Sequence, residues 1–299
     1  MLTKDKFAQL YSNNPHINKV HPLKKNLGET ISELKKENFD FIVNLQKSIR
    51  SHKVVRSLKK PSASFPKLNI EKWLLVNFKI NKLPERHIVD RYFDAVKTLN
   101  IVNDNKGLEF YYPKNECINP EAISKNLKDG YIAWAIGGQH FTKVMPPEKV
   151  ASVAAKVDLP IVLLGGPEDK ERANEIIKLA NKDSIFNVCG SYSLNGSASL
   201  VEQSKLTISN DTGLMHIAAA FNKPTISIWG NTVPEFGMYP YMPENSTNFV
   251  ISEVNDLGCR PCSKIGHKKC PKTHFKCMLD QDESFILESI QSLLSLPSK

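Results

Sequence analysis

The residues with the clearest capacity for chemistry lie together in a strand–turn–helix pattern at 209–220. A carboxylate (Asp211), a hydroxyl (Thr212) and a glycine (Gly213) come directly before an apolar helical run, and His216 follows one helical turn later. The first turn of a helix has backbone N–H groups without intrahelical partners, and the helix dipole favours negative charge there. A glycine lets a ligand approach the backbone closely. The pattern therefore predicts a site for an anionic group such as a diphosphate.

Two of these residues also have a purely structural interpretation. Asp211 lies between a strand and a helix, where an N-cap side chain contributes about 1 kcal/mol. His216 lies in an otherwise apolar helix, where a single histidine is usually a hydrogen-bonded core residue. If it contacts a phosphate instead, a charge-assisted hydrogen bond would contribute about 1.5–3 kcal/mol. The sequence leaves both interpretations open.

Weaker signals follow two earlier predicted strands. Thr142 and Lys143 come shortly after a pair of glycines. A lysine there either holds a phosphate as a point charge or is an ordinary surface residue. Glu168 begins a predicted helix after a second pair of glycines, where it either complements the helix dipole or binds ribose hydroxyls. The chain has no P-loop, no G-x-S-x-G elbow and no Rossmann dinucleotide fingerprint, which argues against those classes of protein.

A parallel doubly wound α/β sheet is required to bring these segments together. Strands are predicted at 131–136, 161–164, 185–188, 206–209 and 225–229, and helices at 147–157, 168–180 and 194–204 and around His216. Ligands bind beyond the carboxyl ends of the strands in such sheets, which is where all of these polar segments lie. The first half is less regular, with helices predicted at 29–39, 68–78 and 87–99, a strand at 41–45 and a linker at 100–128. A last helix is predicted at 283–296.

The composition indicates a globular chain with an uneven charge. The first 100 residues contain 20 of the 40 Lys and Arg residues but only nine of the 31 Asp and Glu residues, so the excess positive charge lies there. Such a surface attracts anionic lipid or a phosphorylated acceptor, unless it is only a solvated lysine-rich face. No nucleic-acid-binding motif is present. No apolar run reaches the roughly 20 residues of a membrane span, and the first residues lack the apolar stretch of a signal peptide, so a cytoplasmic location is expected.

Four of the six cysteines fall in one short segment near the end of the chain. The spacing Cys259-x2-Cys262-x7-Cys270-x6-Cys277 allows a tetrahedral thiolate site for a structural zinc or iron ion. Only one C-x2-C pair is present, so reduced thiols that pack a loop, or a redox-labile disulfide, are the alternatives. His267 and His274 are nearby alternative ligands.

Several segments together form a pattern that extends over nearly the whole chain. They are Ser209 to Ala220 with Pro224 to Thr232 and Pro234, Ala135 to Lys143, Leu164 to Glu168, His87 to Tyr92, and the cysteine-rich segment ending at Cys277-Met278. In these segments the chain resembles the family 9 glycosyltransferases, the ADP-heptose:lipopolysaccharide heptosyltransferases.

The resemblance implies a GT-B architecture with two Rossmann-like domains. Residues 1–128 would form the acceptor-side domain, residues 129–282 the nucleotide-sugar domain and residues 283–299 a C-terminal helix. The residues that would hold the donor diphosphate are Asp211, Thr212, Gly213 and His216. Thr142 and Lys143 would face the diphosphate-sugar region, and Glu168 the nucleoside. Family members invert the anomeric carbon and need no metal ion for transfer.

The resemblance is incomplete at the N-terminus, where the family has a strand, a loop with an acidic residue, and a helix. That acidic residue is the expected general base, which takes the proton of the acceptor hydroxyl. The chain begins at what looks like the following strand, so we expect the first domain to be incomplete and transfer to be impaired. The expected acceptor is the phosphorylated lipopolysaccharide core at the inner membrane surface. The alternative function is that of a non-catalytic nucleotide-binding or assembly protein derived from the family.

Overall fold

The sequence forms ten strands and ten α-helices within residues 1–296, the part of the chain that the computed structural model describes. The strands are β1 (Leu2–Lys4), β2 (His21–Leu23), β3 (Ile42–Asn44), β4 (Ser62–Ser64), β5 (Ile132–Ala135), β6 (Ile161–Leu164), β7 (Ile185–Asn187), β8 (Leu206–Asn210), β9 (Thr225–Trp229) and β10 (Phe249–Glu253). The helices are α1 (Leu27–Lys36), α2 (Ile49–Leu58), α3 (Asn69–Phe78), α4 (Ile88–Phe93), α5 (Pro147–Ala155), α6 (Lys170–Ala180), α7 (Leu194–Gln203), α8 (Gly213–Ala220), α9 (Lys276–Leu279) and α10 (Glu283–Leu294).

The larger of two folding units is built around a six-stranded parallel sheet. The strands lie in the order β10-β9-β8-β5-β6-β7. The chain runs outward from β5 to β7, returns to β8 on the other side of β5, and continues outward to β10. The neighbours β5 and β8, where Ile132 is paired with Leu206, are therefore the topological switch point of the sheet. Ligands of open parallel sheets bind in the crevice at the carboxyl ends of such strands.

The central strands are either wholly apolar, as in β5 and β6, or combine apolar residues with small polar ones, as in β8 and β9. Every residue of β5, β6, β8 and β9 is buried, as expected for strands that helices cover on both faces. Trp134 of β5 is fully buried and belongs to the main hydrophobic cluster. Ile286 and Ile290 of α10 belong to the same cluster, so α10 is part of this unit.

The smaller unit comprises Met1–Asn69, Glu85–Asp104 and Phe110–Tyr112. Its strands form two separate parallel pairs, β1 with β2 and β3 with β4. Helix α2 begins with a capping box, in which Ser48 and Ser51 each accept a hydrogen bond from the backbone N–H of the other. Reciprocal capping of this kind satisfies N–H groups that the first turn leaves unpaired.

The division of the chain differs from the predicted boundary at residue 128. Residues 70–84, which include most of α3, belong to the larger unit because Leu75 packs against Val233 and Phe236. The predicted linker also contributes to this unit, since Glu116 accepts hydrogen bonds from the side chains of Ser193 and Asn195 in and before α7. The predicted C-terminal segment 283–299 contains α10, which ends at Leu294. Residues 297–299 of this segment lie outside the described residues.

Within residues 1–296, no helix is both long enough and apolar enough to cross a bilayer.

Candidate functional site

An ion pair lies at the switch point of the sheet. Lys143, in a short turn after β5, donates from Nζ to Asp211 Oδ2 at 2.5 Å, and Asp211 directly follows β8. The same oxygen accepts a hydrogen bond from Thr232 Oγ1 at 2.8 Å, so the ends of β5, β8 and β9 meet at one carboxylate. The side chains of Lys143 and Asp211 are 16% and 11% exposed. The pair is thus largely shielded from water, which strengthens its attraction.

The predicted N-cap role of Asp211 is wrong. The N-cap of α8 is Thr212, which has an extended backbone and makes no side-chain capping hydrogen bond. Its Oγ1 lies 3.1 Å from Ser209 Oγ instead, while the Asp211 carboxylate is held by Lys143. The first turn of α8 therefore has N–H groups that no N-cap side chain satisfies. Gly213 is exposed and has open space where a Cβ would lie, so an anion has access to the helix start.

His216 lies in the first turn of α8 and is partly buried. Burial lowers the pKa of His216 from its ordinary value; the charge of Asp211 opposes this effect and that of Lys143 adds to it. The imidazole is therefore neutral at pH 7 without a ligand. An anion bound beside it would favour the protonated form, which donates from both ring nitrogens.

Asn210 fixes the position of the loop that carries Lys143. Its Nδ2 donates to the carbonyl oxygens of Ile136 and Gly137, each at 3.1 Å, and its Oδ1 accepts from the Met145 N–H at 3.4 Å. These bonds tie the loop after β5 to the end of β8. Asn210 had no predicted role, although a polar residue at the end of a strand before a turn is a usable signal.

Thr142 is buried and contacts the cysteine-containing segment 259–277. Its hydroxyl accepts from the His267 N–H at 2.8 Å and donates to the His267 carbonyl at 3.2 Å. The Thr142 carbonyl in turn accepts from the Asn231 N–H at 3.3 Å, next to Thr232. Thr142 thus anchors this segment beside Lys143, and contact of its hydroxyl with a ligand stays a prediction.

Gly230 provides the space that the Thr142 backbone occupies. A Cβ at this position would lie 2.6 Å from the Thr142 carbonyl oxygen and 2.6 Å from Met278 Cε. We therefore expect Gly230→Ala to lower the free energy of unfolding by about 1–3 kcal/mol through overpacking. Denaturant titration measures this, with Gly258→Ala as the control, because a Cβ there meets no atom within 4 Å. Equal midpoints for the two variants would contradict the close packing.

The two acidic residues that follow β6 have different environments. Asp169 is buried, accepts from the Gly166 N–H at 3.0 Å and pairs with Arg172, so it stabilises the local turn. Glu168 is exposed at the carboxyl end of β6, and its carboxylate makes no hydrogen bond or ion pair with another residue of the described chain. Glu168 is therefore available for the predicted nucleoside contact.

The four clustered cysteines do not form the predicted zinc or iron site. Within the described chain, no group of three or more His, Cys, Asp or Glu side chains is placed to hold a metal ion. Cys259, Cys262, Cys270 and Cys277 are free thiols. Burial raises the pKa of Cys262 to about 11 and that of Cys277 to about 12, and the neighbouring cysteines add to this effect. The geometry supports the alternative of reduced thiols that pack a loop.

Arg260 connects the cysteine-containing segment to the ion pair. Its guanidinium donates to the Thr232 carbonyl at 3.0 Å, to the Val254 carbonyl at 2.7 Å and to Glu253 Oε2 at 2.7 Å. Thr232 is the residue whose hydroxyl holds Asp211. Arg260 therefore positions the site through the backbone of Thr232, a role that the sequence analysis missed.

A parallel sheet with a lysine and an uncapped helix start at its switch point is typical of nucleotide-binding α/β proteins. The family model described as "Glycosyltransferase family 9 (heptosyltransferase)" matches residues 28–272. The chain belongs to this glycosyltransferase family, which confirms the resemblance found in the sequence.

Individual relatives agree with this family. "Lipopolysaccharide heptosyltransferase 1" of Campylobacter coli is 26% identical over 316 aligned residues, covering 97% of this chain and 88% of the relative. "Lipooligosaccharide heptosyltransferase 2" of Campylobacter jejuni is 31% identical over 228 residues, covering 73% of this chain and 67% of the relative. The solved ADP-heptose lipopolysaccharide heptosyltransferase II of E. coli aligns with a TM-score of 0.69 at 19% identity, covering 98% of this chain and 88% of that one. The predicted α/β GT-B fold class is confirmed.

Proposed function

We propose that this chain transfers a heptose from ADP-heptose to an acceptor on the lipopolysaccharide inner core, with inversion at the anomeric carbon. Family membership and the names of the relatives support the reaction class. The observation that carries the proposal is the Lys143–Asp211 pair beside the uncapped start of α8. This arrangement suits a diphosphate that leaves the sugar as an anion.

The proposed roles follow from the charge that develops during transfer. As the bond between the sugar and the diphosphate breaks, negative charge grows on the leaving phosphate. The ammonium of Lys143 and the N–H groups that follow Thr212, at Gly213 and beyond, would stabilise this charge without a metal ion. Asp211 holds Lys143 in place, and His216 donates a hydrogen bond to the diphosphate. Glu168 would bind the nucleoside through the ribose hydroxyls.

Transfer is tested with the purified chain, ADP-heptose and a lipopolysaccharide acceptor that lacks heptose. We expect release of ADP together with a mass increase of one heptose on the acceptor, at a low rate, because none of the assigned site residues is the general base that takes the proton of the acceptor hydroxyl. Release of ADP without a glycosylated acceptor would show hydrolysis and contradict the proposal. Tight binding of ADP-heptose with no release would favour the alternative, a non-catalytic nucleotide-binding or assembly protein. A folded chain that binds no donor would contradict both functions.

The affinity for ADP-heptose is expected to rise as the pH falls from 8 to 6. The pKa of His216 is lowered in the free protein and would be raised by the bound diphosphate, so the complex binds more protons than the free chain. The affinity gain begins as the pH falls through the raised pKa of the complex and is complete only below the lowered pKa of the free chain. Calorimetric titration of wild type and His216→Gln measures it. A wild-type profile as flat as that of the variant would contradict the proposed contact.

We also propose that the basic first 100 residues attract the phosphorylated acceptor at the inner membrane surface. The 20 basic and nine acidic residues in this range support the proposal. Acceptor binding is then expected to weaken as the salt concentration rises from 0.05 to about 0.5 M, because exposed charges are screened. Binding of the acceptor over a salt series measures this, and binding independent of salt would contradict the proposal.

A further inference from the structure

The segment 70–84, which contains most of α3, has a packed side and an exposed apolar side. Leu75 is buried against Val233 and Phe236, and Leu83 packs on the same cluster. Four other large apolar side chains of the segment are exposed, and we call them the α3 surface: Ile70 (72%), Trp73 (49%), Phe78 (59%) and Ile80 (47%).

Two side chains of the α3 surface, Trp73 and Phe78, are in direct contact. The rings of Trp73 and Phe78 contact each other edge to face, with centroids 5.2 Å apart. Exposed apolar residues that occur singly need no explanation, but a group that clusters on one element marks an interaction surface. Since the packed side of α3 already anchors the helix, the α3 surface is not needed for folding of the unit.

Basic residues outnumber acidic residues in the segment that carries the α3 surface. The segment 70–84 contains three lysines, Lys72, Lys79 and Lys82, and one acidic residue, Glu71. Lys79 Nζ donates to the carbonyl oxygens of Val76 and Pro261, which fixes its ammonium next to the end of α3. Tryptophan, aliphatic side chains and lysines on one short segment are typical of segments that lie in the interface of an anionic membrane.

We infer that the α3 surface inserts into the headgroup region of an anionic lipid bilayer, with the neighbouring lysines against the headgroups. A second copy of the chain fits less well, because a twofold contact would place the lysines of one copy against those of the other. Anionic headgroups instead neutralise them. The proposed function supplies only the reason for membrane binding, which is access to a lipid-anchored acceptor. Membrane binding itself can be tested without any substrate.

Tryptophan fluorescence gives a direct measurement. Trp134 and Trp229 are buried, so Trp73 is the one tryptophan of the chain with an exposed indole, and it dominates any change that vesicles cause. With phosphatidylcholine vesicles that contain phosphatidylglycerol, we expect a blue shift and quenching by bilayer-embedded brominated lipid. Vesicles of phosphatidylcholine alone should give a much smaller change. Co-sedimentation without any change in Trp73 emission would overturn the inference, as would equal binding to both vesicle types.

Paired substitutions test the surface itself. Trp73→Ser with Phe78→Ser is expected to reduce co-sedimentation with the anionic vesicles at least tenfold. The matched control is Leu179→Ser with Phe285→Ser, which changes exposed apolar side chains on α6 and α10 and should bind as wild type does. Circular dichroism and the emission of Trp134 and Trp229 verify that the variants are folded.

Three outcomes would contradict the inference. The first is wild-type vesicle binding by the Trp73→Ser, Phe78→Ser variant, and the second is an equal loss in the control. The third is a wild-type dimer that this variant dissociates, without vesicle binding, which would make a second copy the occupant. Loss of heptosyl transfer with intact vesicle binding would count against the proposed function alone.

Discussion

Replacing Lys143 by methionine is expected to weaken the binding of ADP-heptose by about 10- to 150-fold. This range corresponds to the loss of one hydrogen bond to a charged group, about 1.5–3 kcal/mol. The side chain is only 16% exposed and lies at the switch point of the sheet, so water does not replace its charge effectively. Calorimetric titration with the donor measures the effect, and the rate of transfer should fall further if Lys143 stabilises the leaving group.

Lys149 offers a matched control for this substitution. Lys149 lies on α5 and its side chain is 22% exposed, so it is similarly shielded from water. Its Nζ forms an ion pair with Glu283 of α10 at 2.8 Å. Lys149→Met should therefore change stability by a comparable amount while leaving the donor affinity unchanged. Equal donor affinities of Lys143→Met and wild type would contradict the assignment of the site.

The substitution Asp211→Asn removes the charge of the carboxylate that pairs with Lys143 but keeps an oxygen in the same position. The amide still accepts from Thr232 but no longer neutralises Lys143, so we expect a smaller loss of donor affinity than in Lys143→Met. The double variant should differ from the sum of the single variants by at least 0.5 kcal/mol, since residues in direct contact are coupled. Additive effects would show that the pair does not act as a unit.

The second large effect is expected at Arg260, because its substitution by methionine removes three hydrogen bonds at once. The guanidinium is 7% exposed and its partner Glu253 is 24% exposed. We therefore expect a loss of about 2–3 kcal/mol in the free energy of unfolding, below the 3–5 kcal/mol that breaking a fully buried pair costs. Donor affinity should fall as well, since the backbone of Thr232 loses its support.

Urea titration and donor binding measure both effects of Arg260→Met. Arg86→Met is the control, because Arg86 pairs with Asp94 at an exposed position where such pairs contribute about 0–1 kcal/mol. If both arginine variants lose the same small amount of stability, Arg260 does not hold the site as described.

The central strands could be predicted to the residue where the sequence has local boundaries. The predicted strands 161–164 and 225–229 are confirmed as β6 and β9 with the same bounds. A proline precedes each strand and a glycine follows it; β6 is entirely apolar, whereas β9 also contains Thr225 and Ser227. Because both ends carry a residue that stops a strand, the pattern alone determines the element.

Elements without such boundaries escaped prediction. Helix α2 contains three basic residues and little apolar periodicity, and its start depends on the reciprocal contact of Ser48 and Ser51. Strand β10 is a partly exposed edge strand, and neither a proline nor a glycine borders it. The predicted helix 87–99 is shorter, because α4 ends at Phe93 and a short turn at Lys97–Leu99 follows.

The site was predictable as a place but not as a set of contacts. Parallel strands bring their carboxyl ends to one edge, so sequence order alone placed Lys143 and Asp211 in the same region. The bond between them joins residues 68 positions apart, and no local pattern shows which acidic residue a lysine will contact. For the same reason, the links from Thr142 to His267 and from Arg260 to Thr232 became visible only in the folded chain.

The return of the chain to β5 also has a consequence for synthesis. Ile132 of β5 pairs with Leu206 of β8, which is made 74 residues later. At the usual 5–20 residues per second, one edge of β5 waits about 4–15 s for its partner on the ribosome, while β6 and β7 are already available on the other edge. An open edge of this kind is a template for pairing with other chains. The strand junction that later carries Lys143 and Asp211 is thus open to pairing with other chains until β8 has been made.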